Sequence, residues 1–116
     1  MTEPAAPDAN RREHERKLFR SKGHLILFGE AVREVRTFDL SIAGVGVIAS
    51  SNLQPETPCL VRLVIPVKTG GSNLFEIPAR VIHAVFSSGE DGFKVGLRFV
   101  SLTPEIAQAI LRYLNS

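Results

Sequence analysis

Apolar and polar residues alternate with a period of two along most of the chain. The pattern is clearest over residues 59–65 and 93–99, where every second residue is apolar. A longer stretch, Phe75–Val85, likewise places its odd-numbered residues on one face. Because side chains alternate between the two faces of a strand, these stretches predict β-strands with one face in a core. Glycine-rich turns at 69–73 and 87–92 separate them.

Three less regular stretches complete a prediction of about six strands. They cover residues 24–28, 32–40 and 44–48, and the apolar positions of the second stretch are spaced unevenly enough to permit a bulge. Pro78 lacks a backbone N–H, so it is expected only at a sheet edge or a bulge. Short antiparallel strands with turns between them favour a barrel or a sandwich.

Near the end of the chain the spacing of apolar residues changes from a period of two to a helical period. This spacing predicts a helix over residues 104–115. Thr103 can cap this helix, and Pro104 suits its first turn. An apolar stripe is expected to face the core, comprising Ile106, Ala107, Ile110, Leu111 and Leu114.

The length of the chain suits one domain, and its charge is distributed unevenly between segments. The chain has 116 residues, and its net charge of +2 conceals a local excess. Residues 11–22 hold six basic and two acidic residues, whereas 23–116 are balanced. We predict a disordered tail over 1–10, a basic ligand-binding arm over 11–22 and the folded domain over 23–116. The arm is expected to order on binding, with Leu18 and Phe19 attaching its end to the domain.

Composition excludes several classes of function. One cysteine, Cys59, rules out a disulfide framework and a multi-cysteine zinc site. His14, His24 and His83 lack metal-ligand spacing, and no nucleophile motif is present. We therefore expect no enzyme activity, no catalytic residue, no metal and no cofactor. No apolar run reaches the length of a membrane span and no secretory leader is visible, so a cytoplasmic protein is expected.

Two motifs stand out against this background. The arm contains Arg11-Arg12-x-x-x-Arg16, and an early strand carries Asp39-x-Ser41-x-x-Gly44. In this order, and followed by a strand reading VGLRF at 95–99, they resemble the PilZ domain, which binds the bacterial second messenger cyclic di-GMP. The resemblance covers roughly residues 11–114. It implies a small six-stranded antiparallel β-barrel with a C-terminal α-helix.

The resemblance also implies a ligand and its site. Cyclic di-GMP would bind Arg11, Arg12 and Arg16 of the arm, as one molecule or an intercalated pair. Arginine can pair with the O6 and N7 acceptors of guanine, grip phosphate or stack on a base.

The second motif, Asp39, Ser41 and Gly44, would complete the site. Asp39 could accept from a guanine N–H, and Ser41, two residues on, would face the same side of the strand. Gly44 would let the backbone turn or approach the ligand closely.

The expected role is a receptor and adaptor that signals by conformational change to an unidentified effector protein. One alternative is a PilZ-type interaction module for pilus or flagellar machinery that needs no nucleotide. Another is a small barrel that binds single-stranded nucleic acid, which would need exposed aromatic residues on a strand face. The chain has no tryptophan, and most of its seven phenylalanines fall at core-like positions, so no nucleic-acid partner is expected.

Overall fold

The computed structural model describes residues 15–67 and 70–116, which form seven strands and one helix. The strands are β1 Lys17–Leu18, β2 Lys22–Leu27, β3 Val32–Leu40, β4 Gly44–Ala49, β5 Pro58–Pro66, β6 Ser72–Ser87 and β7 Gly92–Phe99. The helix, α1, spans Pro104–Leu114.

Six of the strands close into an antiparallel barrel. Their order is β3-β2-β5-β6-β7-β4, and β4 returns to pair with β3. The short β1 lies outside this ring and pairs with Asp39 and Leu40 of β3, beyond the stretch that β2 covers. The predicted six-stranded antiparallel barrel with a C-terminal helix is thus confirmed.

Alternation along the strands builds the core. Each barrel strand sends at least one buried apolar side chain inward, namely Leu25, Val35, Val47, Val61, Ile77 and Val95. Burying one such side chain contributes about 1.5–3 kcal/mol.

The helix is capped as its sequence predicts. The Oγ1 of Thr103 accepts from the N–H of Ile106 at 3.2 Å, and Pro104 opens the first turn. Ile106, Ala109 and Ile110 are buried against the barrel core. The predicted stripe was wrong at Leu111, which is 42% exposed, because Ala109 faces the core instead. In the described ranges, no helix is long and apolar enough to cross a membrane.

The place of Pro78 in β6 contradicts the expectation that this residue lies at a sheet edge or a bulge. Strand β6 pairs with β5 along one edge and with β7 along the other, so it is an interior strand. The ladder to β7 begins at Ala79, and the carbonyl of Pro78 accepts from Val100 at 2.8 Å. A residue in an antiparallel strand directs its N–H and C=O to the same side. Because the ladder to β7 has ended before it reaches Pro78, the N–H that Pro78 lacks would not be part of that ladder.

Strand pairing reaches into the segment that the sequence assigns to the arm. Leu18 is 67% exposed, but Phe19 is buried and donates its N–H to the carbonyl of Phe38 at 3.0 Å. The side chain of Phe19, and not that of Leu18, therefore packs into the barrel core. The predicted tail at 1–10 and the first part of the arm, up to residue 14, lie outside the described residues.

Cys59 on β5 gives a test of this core. It is 2% exposed, and burial raises the pKa of its thiol from the usual 9.0 to about 11. We expect a water-soluble disulfide reagent to label it far more slowly in the native protein than in urea. Since the folded-state pKa lies above the unfolded one, stability should be undiminished below pH 9 and fall towards pH 11. Cys59→Ala should remove that fall, and rapid native labelling would contradict the packing.

Candidate functional site

Two β-bulges shape a recess on the outer face of this barrel. In β3 the register shifts between Thr37 and Asp39, so that Phe38 and Asp39 both point outward. In β6 it shifts between Val81 and His83, which leaves His83 exposed. The prediction that Phe75–Val85 shares one buried face was therefore wrong beyond Val81, because an inserted residue reverses the alternation.

The bulges align four residues in a row across four strands. Asp39 of β3 is paired with Gly46 of β4, Gly46 with Gly96 of β7, and Gly96 with His83 of β6. A carboxylate thus stands at one end of the row and an imidazole at the other. The two residues between them have no side chain.

The two glycines leave room for their neighbours. A Cβ on Gly46 would clash with the ring of Phe38 and lie 2.6 Å from Oδ1 of Asp39. A Cβ on Gly96 would lie 2.7 Å from Nδ1 of His83. Glycine inside a strand commonly marks such a close approach. Larger residues at these positions would displace the groups that flank the row.

The row lies in a surface pocket of about 380 Å³. Its lining includes Arg16, Phe38, Asp39, Ala43, Gly44, Gly46, Ile82, His83, Gly96, Leu97 and Arg98. Two exposed cations, Arg16 and Arg98, and the rings of Phe38 and His83 therefore occur together with one carboxylate.

Arg16 and Asp39 form the charged contact of the pocket. Nε of Arg16 donates to Oδ2 of Asp39 at 2.9 Å, and Nη2 donates to Oδ1 at 3.1 Å. This two-point geometry orients the guanidinium plane, and it uses only two of its five donors. The side chain of Arg16 is 44% exposed and that of Asp39 is 22% exposed, so a ligand can reach the pair.

Ser41 lies in a different environment from Asp39. It follows the end of β3 and is fully buried. Its Oγ accepts from the N–H groups of Ala43 and Gly44, both at 3.1 Å, and closes the turn into β4. The expectation that Ser41 and Asp39 share an outward face was therefore wrong, because β3 has ended and the turn uses the hydroxyl.

Gly44 is at the pocket wall, but its lack of a side chain has a structural cause. It pairs with Arg98, and a Cβ at this position would clash with the carbonyl oxygen of Leu97. Close contact between β4 and β7 thus excludes a larger residue.

The structure brings together Arg16, Asp39 and Gly44 of the expected site, with Ser41 beneath them. Arg11 and Arg12 lie outside the described residues. Sequence reasoning missed Gly46, Gly96 and His83. Outward glycines at matching positions of two strands were the available signal for the first two. His83 had none, because only the bulge turns it outward.

A family comparison identifies this chain. The family model described as PilZ domain matches residues 10–116. The chain belongs to the PilZ domain family. No curated protein matches it by sequence.

Solved structures share this PilZ fold. The PilZ domain with c-di-GMP of YcgR from Escherichia coli aligns with a TM-score of 0.66 at 17% identity, covering 90% of each chain. The inhibitor of motility MotI/DgrA from Bacillus subtilis aligns with a TM-score of 0.78 at 16% identity over 89% of this chain. PlzA from Borreliella burgdorferi, in complex with c-di-GMP, has a TM-score of 0.65 at 18% identity over 95% of this chain. This PilZ chain spans 49% of MotI/DgrA and 43% of PlzA.

The contact at Gly44 leads to a stability prediction. Gly44→Ala should lower the free energy of unfolding by about 1–3 kcal/mol, because β4 and β7 must separate to admit the methyl group. Urea denaturation would measure this loss. Gly89→Ala is the matched control, since a Cβ there meets nothing within 4 Å. Equal stability of the two variants would show that the strands at Gly44 are not closely packed.

Proposed function

We propose that this PilZ domain is a receptor for cyclic di-GMP. The observation that carries the proposal is the row from Asp39 to His83, with Arg16 held by Asp39 at its charged end. The family match and the c-di-GMP complexes of YcgR and PlzA support the same ligand.

The chemistry of guanine suits the charged end of the pocket. Guanine presents O6 and N7 acceptors on one edge, which match the fork of an arginine. Its N1–H and exocyclic amine are donors, which match a carboxylate. Arg16 and Asp39 offer both partners side by side.

The floor of the pocket suits a flat ring. The rings of Phe38 and His83 lie over Gly46 and Gly96, where a Cβ on either glycine would clash with them. These two rings line the pocket and offer planar surfaces on which a base can stack. Arg98, on the same wall, adds a cation for phosphate.

Arg11 and Arg12 are proposed to complete the site from the arm, over residues 11–22. Arg11 precedes the RxxxR motif, where it could grip or stack on a second nucleotide, so we favour an intercalated pair over one molecule. Ser41 is assigned an indirect role. It fixes the turn that sets Asp39 and Gly44 on adjoining strands.

We further propose that the domain acts as an adaptor, without catalysis, for an effector protein. The positions of the exposed aromatic residues give little support to the alternative of a barrel that binds single-stranded nucleic acid. Of the seven phenylalanines, Phe28 and Phe86 are exposed. However, Phe28 lies beside the β2–β3 turn and Phe86 beside the β6–β7 turn, so they belong to different hairpins.

Base specificity is the first test. Cyclic di-GMP should bind at least tenfold more tightly than cyclic di-AMP, because a wrong base edge costs about 1–3 kcal/mol. Isothermal titration with both nucleotides measures affinity and stoichiometry. Single-stranded RNA serves as the third titrant. Equal affinities for the two nucleotides would rule out guanine recognition, and binding of RNA alone would favour the nucleic-acid alternative.

The ion pair is the second test. Arg16→Ala and Asp39→Ala should each weaken cyclic di-GMP binding, Arg16→Ala by on the order of 100-fold or about 3 kcal/mol. Neither should change stability much, since exposed ion pairs contribute about 0–1 kcal/mol. Arg62 and Glu76 form a matched surface pair at 2.6 Å on β5 and β6, so Arg62→Ala and Glu76→Ala are the controls. Normal nucleotide affinity in both pocket variants would contradict the proposed site.

A further inference from the structure

Lys17 joins the start of the described chain to its C-terminal end. Its Nζ donates to the main-chain oxygen of Tyr113 at 3.0 Å, to that of Ser116 at 2.9 Å and to Oγ of Ser116 at 3.1 Å. An ammonium group has three donors, so all three are used. A cation is also favoured at a helix C-terminus, where carbonyl groups lack helical partners.

Tyr113 contacts three successive residues of the opening segment. Its hydroxyl donates to the carbonyl of Leu18 at 2.6 Å. The ammonium of Lys17 lies 4.7 Å from its ring centre, and the ring of Phe19 meets it edge-on at 5.3 Å. The end of α1 therefore fixes the backbone on the C-terminal side of Arg16.

Arg16 depends on this backbone to reach the pocket. It directly precedes β1, which has two residues and pairs with Leu40 and Asp39. Ordering a residue costs about 1–2 kcal/mol of backbone conformational entropy. A strand of two residues therefore holds Arg16 only weakly by itself. The contacts of Lys17 and Tyr113 offset this cost.

We propose that Lys17 and Tyr113 are positioning residues for the nucleotide site, which they serve through Arg16. The inference rests on the proposed function. It also implies coupling in the reverse direction. If attachment of the α1 end tightens nucleotide binding, nucleotide binding must tighten that attachment by the same factor. The end of α1 would then be attached more tightly when the pocket holds nucleotide than when it is empty.

The affinity test uses Lys17→Met and Tyr113→Phe, which keep the stem and the ring. We expect cyclic di-GMP to bind about tenfold more weakly to Lys17→Met and several-fold more weakly to Tyr113→Phe, equivalent to roughly 1.4 kcal/mol or less. Arg112→Met is the matched control, since it removes one positive charge from the same helical turn. Its affinity should stay within twofold of wild type.

Two readouts distinguish positioning from general structural support. In the Arg16→Met background, Lys17→Met should cause no further loss of affinity, because the two residues act in series. Hydrogen exchange of residues 111–116 should slow on adding cyclic di-GMP to the wild type but not to Arg16→Met. Additive losses, or unchanged exchange in the wild type despite binding, would overturn the proposal.

A measurement without nucleotide keeps this inference separate from the proposed function. The Nε–H of Arg16 is bonded to Asp39, so its NMR signal should exchange slowly with water in the wild type. It should exchange faster in Lys17→Met and Tyr113→Phe. No binding of cyclic di-GMP to the wild type would overturn the proposed function. Unaltered Arg16 exchange in both variants would overturn the positioning role.

Discussion

The structure depends on how β4 closes the barrel. This six-residue strand pairs with both β3 and β7, and all six of its residues are buried. Closure brings the backbone of β4 so close to β7 that a Cβ on Gly44 would clash with Leu97. Further along, Gly46 leaves room for Phe38 and Asp39. The strand that closes the barrel thus also admits the side chains that line the pocket.

The charged part of the site is assembled across a long sequence separation. Asp39 is fixed by the ladder of β3, whereas Arg16 is held by a two-residue strand and by contacts of its neighbours with α1. Exposed ion pairs contribute little to stability, so the Arg16–Asp39 pair orients two polar groups of the pocket more than it supports the fold. Its donors stay accessible because the pair lies at the surface.

The bulges show how a barrel surface becomes chemically specific. A regular β6 would bury His83, and a regular β3 would separate Phe38 from Asp39 on opposite faces. One extra residue in each strand turns Phe38 and Asp39 of β3 and Ile82 and His83 of β6 outward. In β3 the next residue, Leu40, is buried again. The pocket therefore costs the barrel little packing, since Val81 and Leu40 stay fully buried.

The sequence by itself determined the strands, the terminal helix and the two motifs, because alternation, capping and motif spacing are local patterns. It also led to Arg16, Asp39 and Gly44 as neighbours in one site. Tertiary structure decided that Ser41 serves the turn and that His83 joins the pocket. It alone paired Gly46 with Gly96 and placed Tyr113 against the segment that carries Arg16. These features depend on register shifts and long-range packing, which follow from closing the barrel as a whole, and no local pattern along the chain fixes them.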